Sequence, residues 1–196
     1  MSRFVIVVDT QGDFMRADGA LPVAGAEALI EPLRAWLRQL SPADVAGVLF
    51  TFDTHVPEIY AGSAEAELFP IHCVWGTAGW DNVLDPATID PRIPVYRLDK
   101  GEFDMWAEPA LEVTEAASGK RIGREAFFHD LKARGIEEVV VAGVAADYCV
   151  RWAAAGLLAR GFDVAVPAAL TRGIDRQIGQ VADEEFAGRP FAIEEG

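Results

Sequence analysis

The sequence predicts an α/β fold on a mainly parallel sheet of six strands. Two observations carry this. Apolar, β-branched runs alternate along the chain with segments of helical spacing. The runs are continuously apolar, as expected of strands covered on both faces.

The elements follow in order. "FVIVV" (4–8) is the first strand. Residues 24–40 place Leu29, Leu33, Trp36, Leu37 and Leu40 at helical spacing, with Pro32 marking a kink or a break. "VAGVLFTFD" (45–53) is the second strand, and "IPVYRL" (93–98) the third. "REAFFHDLKARG" (124–135) is a helix ended by Gly135. "EVVVAGV" (138–144) is the fourth strand, 147–161 a helix stopped by Gly161, and "FDVAVP" (162–167) the fifth strand. Residues 174–187 read as a helix and "PFAIEE" as the sixth strand. Residues 54–92 are irregular, and a loop of that length in a compact domain is usually functional.

Composition narrows the function classes. The chain has 196 residues, 51% of them hydrophobic, which suits one domain over 1–196 with a sizeable core. Its net charge of -14 argues against nucleic acid and anionic membrane as partners. No apolar run reaches the length of a membrane span, and the start does not read as a signal peptide. Two cysteines, Cys73 and Cys149, are too few for a disulfide scaffold and fit a reducing cytoplasm.

In parallel α/β sheets, ligands bind beyond the carboxyl ends of the strands. Asp9 ends the first strand here. Asp53 and His55 end the second, Lys100 follows the third, and Cys149 opens the helix after the fourth. Taken singly, each is an ordinary turn or surface residue. Together they supply a nucleophile, a carboxylate and an ammonium at one sheet edge. A helix start and a nearby ammonium favour a thiolate at Cys149. Asp9 can take the thiol proton and return it to a leaving amine, with a thioester between. The N–H of Cys149 and one from "GVAAD" can receive an oxyanion. His129 lies far from the strand ends and reads as a surface residue.

Two of the three histidines, His55 and His72, sit in the long loop with Asp53, Glu65 and Glu67. Mixed imidazole and carboxylate donors suit zinc, iron or manganese without choosing among them. Cys73 beside His72 reads as a packing residue rather than a soft ligand.

Over most of its length the chain resembles the isochorismatase-like cysteine hydrolases, within them the nicotinamidase/pyrazinamidase group. "VVDTQGDF", the "DK" at 99–100 and "GVAADYCV" are similar to that family's three motifs. The resemblance implies a three-layer α/β/α sandwich, with Asp9 as acid/base, Lys100 as the lysine and Cys149 as nucleophile. It further implies a cis peptide between Val144 and Ala145, and an oxyanion hole from the N–H groups of Ala145 and Cys149. "FDTH…E…LFPIH" resembles the variant whose divalent metal is held by Asp, His, Glu and His. That assigns Asp53, His55, Glu65 and His72, with Glu67 the alternative to Glu65 and zinc ahead of iron or manganese. Phe14 and Phe69 match substrate-wall positions, and Phe103 or Trp106 stands where the family has a further wall.

Two departures stand out. "GEFDMWAEP" (101–109) replaces the family's usual segment, and Ala146 stands where threonine is common. The acids Asp104 and Glu108 disfavour an anionic substrate. The resemblance thus implies hydrolysis of nicotinamide to nicotinate and ammonia, or of another small amide or carbamoyl compound. The partner is that small molecule, and a homo-oligomer is compatible with it.

Overall fold

The computed structural model describes residues 2–195. Its centre is a nine-stranded sheet: β1 (Arg3–Val8), β2 (Val45–Asp53), β3 (Val95–Lys100), β4 (Glu112–Glu115), β5 (Arg121–Gly123), β6 (Glu138–Val144), β7 (Asp163–Pro167), β8 (Thr171–Arg172) and β9 (Phe191–Glu194). The order is β5-β4-β3-β2-β1-β6-β7-β9, with β8 beside β6. All pairs are parallel except β3–β4 and β4–β5.

The six expected strands are present, and three more join them. β4 ("EVTE") and β5 ("RIG") form an antiparallel edge, and between them only Val113 is buried. Segments so short and polar give no apolar run to read. β3 also lies two residues later than expected, so Lys100 is its last residue rather than a loop residue. That shift puts Lys100 directly opposite Asp53 on β2.

Side chains on β1 divide alternately. Phe4, Ile6 and Val8 join one core with α4 (Arg124–Ala133), α5 (Cys149–Ala159) and α6 (Ile178–Glu185). Val5 and Val7 join a second core with Leu33 and Leu37 of α2 (Ile30–Arg38). The sheet therefore lies between two helical layers, as the three-layer expectation requires. The helix expected at 24–40 is shorter: a 3-10 turn at Glu27–Leu29 leads into α2. Pro32 falls in the first turn of α2, where a backbone N–H has no intrahelical acceptor, so it neither kinks nor breaks the helix. Two further helices are single turns, α1 (Gly12–Met15) after β1 and α3 (Pro57–Tyr60) in the long loop. Among the described residues no helix is long and apolar enough to cross a membrane.

Candidate active site and metal-ligand cluster

The carboxyl ends of β1, β2, β3 and β6 meet above the sheet, and the polar residues there are buried. Asp9 and Asp53 have no exposed surface, Lys100 has 2% and Cys149 has 3%. Asp9 leaves β1 with φ +47, a left-handed conformation that costs a non-glycine residue about 1–3 kcal/mol. The Gln11 N–H donates back to the Asp9 carbonyl at 2.8 Å and stabilises this turn. Gly143 on the neighbouring strand has φ +110, and a Cβ there would lie 2.1 Å from the Val8 carbonyl. Only glycine lets β6 pass β1 this closely.

Lys100 is the hub. Its Nζ lies 2.8 Å from Asp9 Oδ2, 3.2 Å from Asp53 Oδ1 and 3.7 Å from Cys149 Sγ. Burial works against its charge, but Asp53 and Asp9 outweigh burial and hold the ammonium well above the usual lysine range. Burial pushes the Cys149 thiol well up. Lys100 opposes that rise, while the carboxylates of Asp9 and Asp53 and a hydrogen bond with Asp9 add to it. Desolvation and two carboxylates thus oppose the thiolate that the ammonium and the helix start favour.

Cys149 is the first residue of α5. The preceding Val144–Ala145 peptide is cis. The Ala145 carbonyl accepts from the N–H groups of Tyr148 and Val150, both at 3.1 Å. Among the described residues, the N–H groups of Ala145 and Cys149 donate to no protein acceptor and are free for a substrate oxygen. Asp147 anchors this turn by accepting from Ile174, Asp175 and Arg176 N–H at 2.9, 2.7 and 2.8 Å.

Beside the trio stand Asp53, His55, Glu65 and His72, whose ligand atoms all lie within 4.8 Å of one another. Asp53 Oδ2 is 2.9 Å from His72 Nε2 and 3.1 Å from His55 Nε2, and His55 Nε2 is 3.5 Å from Glu65 Oε2. His72 Nδ1 lies 2.8 Å from the Pro70 carbonyl, so Nδ1 carries a proton and Nε2 is left to face the carboxylate. Glu65 Oε2 is buried without a hydrogen-bond partner. Asp9 and Asp53 thus share one ammonium, the Glu65 carboxylate stands beside them without one, and two imidazole nitrogens point inward. That donor set fits a divalent cation. Glu65 lies within the group, whereas Glu67 is exposed and outside it. Cys73 is fully buried in the core and also outside it, and burial holds its thiol far up.

Aromatic rings wall this cluster. Phe14 lies 5.1 Å from the His72 ring, and Phe103 stacks on His72 at 5.9 Å. Phe69, Phe103 and Tyr148 meet edge to face, each pair of centroids near 5.5 Å. The divergent segment 101–109 delivers Phe103. Glu108 accepts from Gly101 N–H at 2.7 Å, Asp104 caps Trp106 N–H at 2.9 Å, and buried Arg124 donates to the Met105 and Glu108 carbonyls. The segment's acids are therefore used locally. The Phe103 N–H itself donates to Glu65 Oε1 at 2.6 Å. Trp106 is not part of this wall, a correction to the sequence expectation. Its Nε1 donates to the Trp152 carbonyl at 3.1 Å and its ring lies against Gly156, a turn or more along α5 from Cys149.

Sequence reasoning missed four supports. Gln11 clamps Asp53 by donating to its carbonyl at 2.8 Å and accepting from its N–H at 2.7 Å. Thr51 bonds the Asp9 carboxylate at 2.6 Å. The Tyr60 hydroxyl reaches the Phe69 and Pro70 carbonyls, holding the strap that carries His72. Tyr148 completes the wall. The one available signal was polar residues at or just beyond strands otherwise wholly apolar.

The isochorismatase domain family model matches residues 124–187, which include α4, β6 and α5. The nicotinamidase/pyrazinamidase of Mycobacterium tuberculosis (strain ATCC 25618 / H37Rv) is 30% identical over 194 residues, 94% of each chain. The chain belongs to the isochorismatase-like family, in its nicotinamidase/pyrazinamidase group. Solved members of this family superpose along the whole chain. The pyrazinamidase of Pyrococcus horikoshii in complex with zinc has a TM-score of 0.73 and 30% identity, with both chains covered fully. PnC1 from L. infantum in complex with nicotinate has a TM-score of 0.73 and 25% identity, covering 99% of this chain and 92% of its own. The isochorismatase-like hydrolases are thus its kin in both sequence and fold.

Proposed function

We propose that the protein hydrolyses nicotinamide to nicotinate and ammonia. The observation that carries this is the junction of the two clusters, where Lys100 binds Asp9 and Asp53 together. A thiol–carboxylate pair able to open an amide lies directly beside a cluster able to hold a ring nitrogen.

Asp9 Oδ2 takes the Cys149 proton as the sulfur attacks the carboxamide carbon. The N–H groups of Ala145 and Cys149 receive the oxygen as it gains charge. Asp9 returns the proton to the leaving nitrogen, ammonia departs and a thioester remains. Water enters the vacated position, Asp9 accepts its proton, and the thioester opens to the acid and the thiol. Lys100 offsets the charge passing between Asp9 and the sulfur. Asp53, His55, Glu65 and His72 would hold a divalent ion, for which we assign zinc. When bound, that ion supplies a Lewis-acid anchor for the pyridine nitrogen. Phe14, Phe69 and Phe103 orient the ring, which confers proximity rather than bond-breaking.

The zinc complex of the P. horikoshii relative supports the ion, and the nicotinate complex of the L. infantum relative supports the ring. Ammonia release across a panel of amides tests the reading. Nicotinamide should be turned over best. Inert nicotinamide alongside hydrolysis of a carbamoyl compound would overturn it.

A further inference from the structure

Thr51 is fully buried on β2, two residues before Asp53. Its hydroxyl lies 2.6 Å from Asp9 Oδ1. The Asp9 N–H donates to the same hydroxyl oxygen at 3.2 Å and to the Thr51 carbonyl at 3.3 Å. A backbone N–H can only donate, so the hydroxyl oxygen accepts there and its own proton is left for Oδ1. The direction of the bond is thereby determined. The groups facing the Asp9 carboxylate are Thr51 from β2, Lys100 from β3 and Cys149 from α5.

We propose that Thr51 is a positioning residue for the acid/base: its hydroxyl holds Oδ1 so that Oδ2 stays turned toward Lys100 and Cys149. A freed carboxylate would rotate to share both oxygens with the Lys100 ammonium, and the thiol would lose its aligned acceptor. The rate effect rests on the amide-hydrolase reading above; the alignment of Asp9 with the thiol does not.

The test compares Thr51→Val, Thr51→Ser and Thr51→Ala in two measurements. One is kcat and KM for nicotinamide, and the other is the rate of Cys149 modification by iodoacetamide near neutral pH, located by peptide mass mapping. Thr51→Val should lower kcat about 10- to 100-fold, the scale of one misaligned proton transfer, with KM unchanged within about twofold. Thr51→Ser should stay within about threefold of wild type, because it keeps the donor. Cys149 modification should slow about fivefold in Thr51→Val and not in Thr51→Ser. Wild-type behaviour of Thr51→Val in both measurements would overturn the proposal. So would equal damage in Thr51→Ser, which would assign the effect to the lost methyl group. Should Thr51→Val fail to fold, Thr51→Ala against Thr51→Ser gives the same contrast. Should wild type leave nicotinamide intact, the functional reading fails and the modification rates alone decide the role of Thr51.

Discussion

Lys100 Nζ lies 3.2 Å from Asp53 Oδ1, so a single ammonium belongs to both the thiol site and the ligand cluster. Both residues end neighbouring parallel strands and are register partners, which makes this contact a property of the sheet rather than of a loop.

Lys100→Met should therefore fail in two ways. It leaves Asp9 and Asp53 without their counter-charge, which costs about 3–5 kcal/mol for a broken buried pair. It also removes the ammonium that lowers the Cys149 pKa, so alkylation of Cys149 should require higher pH than in wild type. A lower urea midpoint together with an alkaline shift in the alkylation profile is the expected result. An unmoved profile would remove Lys100 from the tuning of the thiol.

Cys149→Ala should abolish ammonia release, by at least about a thousandfold, because the other cysteine, Cys73, is buried in the second core. The loss of one buried sulfur should leave folding intact, which a thermal melt can verify.

The ligand assignment is open to elemental analysis. His72→Ala should purify without stoichiometric metal, and Glu65→Gln should weaken retention at least about tenfold during dialysis against a chelator. Glu67→Gln should bind as wild type, since Glu67 is exposed and apart from the cluster.

Stability should fall at alkaline pH. Cys73 and Cys149 both have folded pKa values raised above the ordinary 9.0, chiefly by burial. The stabilisation linked to each is complete below pH 9, where both states hold the proton. Above that the unfolded chain loses protons that the folded chain keeps, so unfolding gains about 1.4 kcal/mol per pH unit for each group. Chemical denaturation between pH 8 and 10 should show the slope, and Cys73→Ala should reduce it.

Phe103 and Trp106 should separate cleanly. Phe103→Ala should raise KM about tenfold with a smaller effect on kcat, because it removes a wall of the ring site. Trp106→Phe should leave KM unchanged and cost about 1–2 kcal/mol, by removing the indole N–H that bonds the Trp152 carbonyl.

The succession of six strands along the chain and the edge at which Asp9, Asp53, Lys100 and Cys149 gather could be read from the sequence. Apolar periodicity marks the strands, and strand ends mark the site. The β4–β5 edge could not, because its residues are polar and gain their register only from β3. Nor could the strength of the burial that opposes a thiolate at Cys149, since a sequence shows the ammonium but not the depth at which it lies. Trp106 was misplaced for a similar reason. An aromatic residue near a site looks the same in sequence whether it faces substrate or packs along a helix. The family resemblance already put Glu65 ahead of Glu67, and the fold turns the first into the cluster and the second outward.

Glu65 uses its two oxygens for different ends, Oε2 toward the imidazoles and Oε1 toward the backbone of Phe103. The donor set and the substrate wall are therefore inherited together. A descendant that exchanged Glu65 for histidine could keep four donors, yet would strip the Phe103 amide of its acceptor. The segment 101–109 would then have to be rebuilt in the same lineage, and with it the range of rings the enzyme admits.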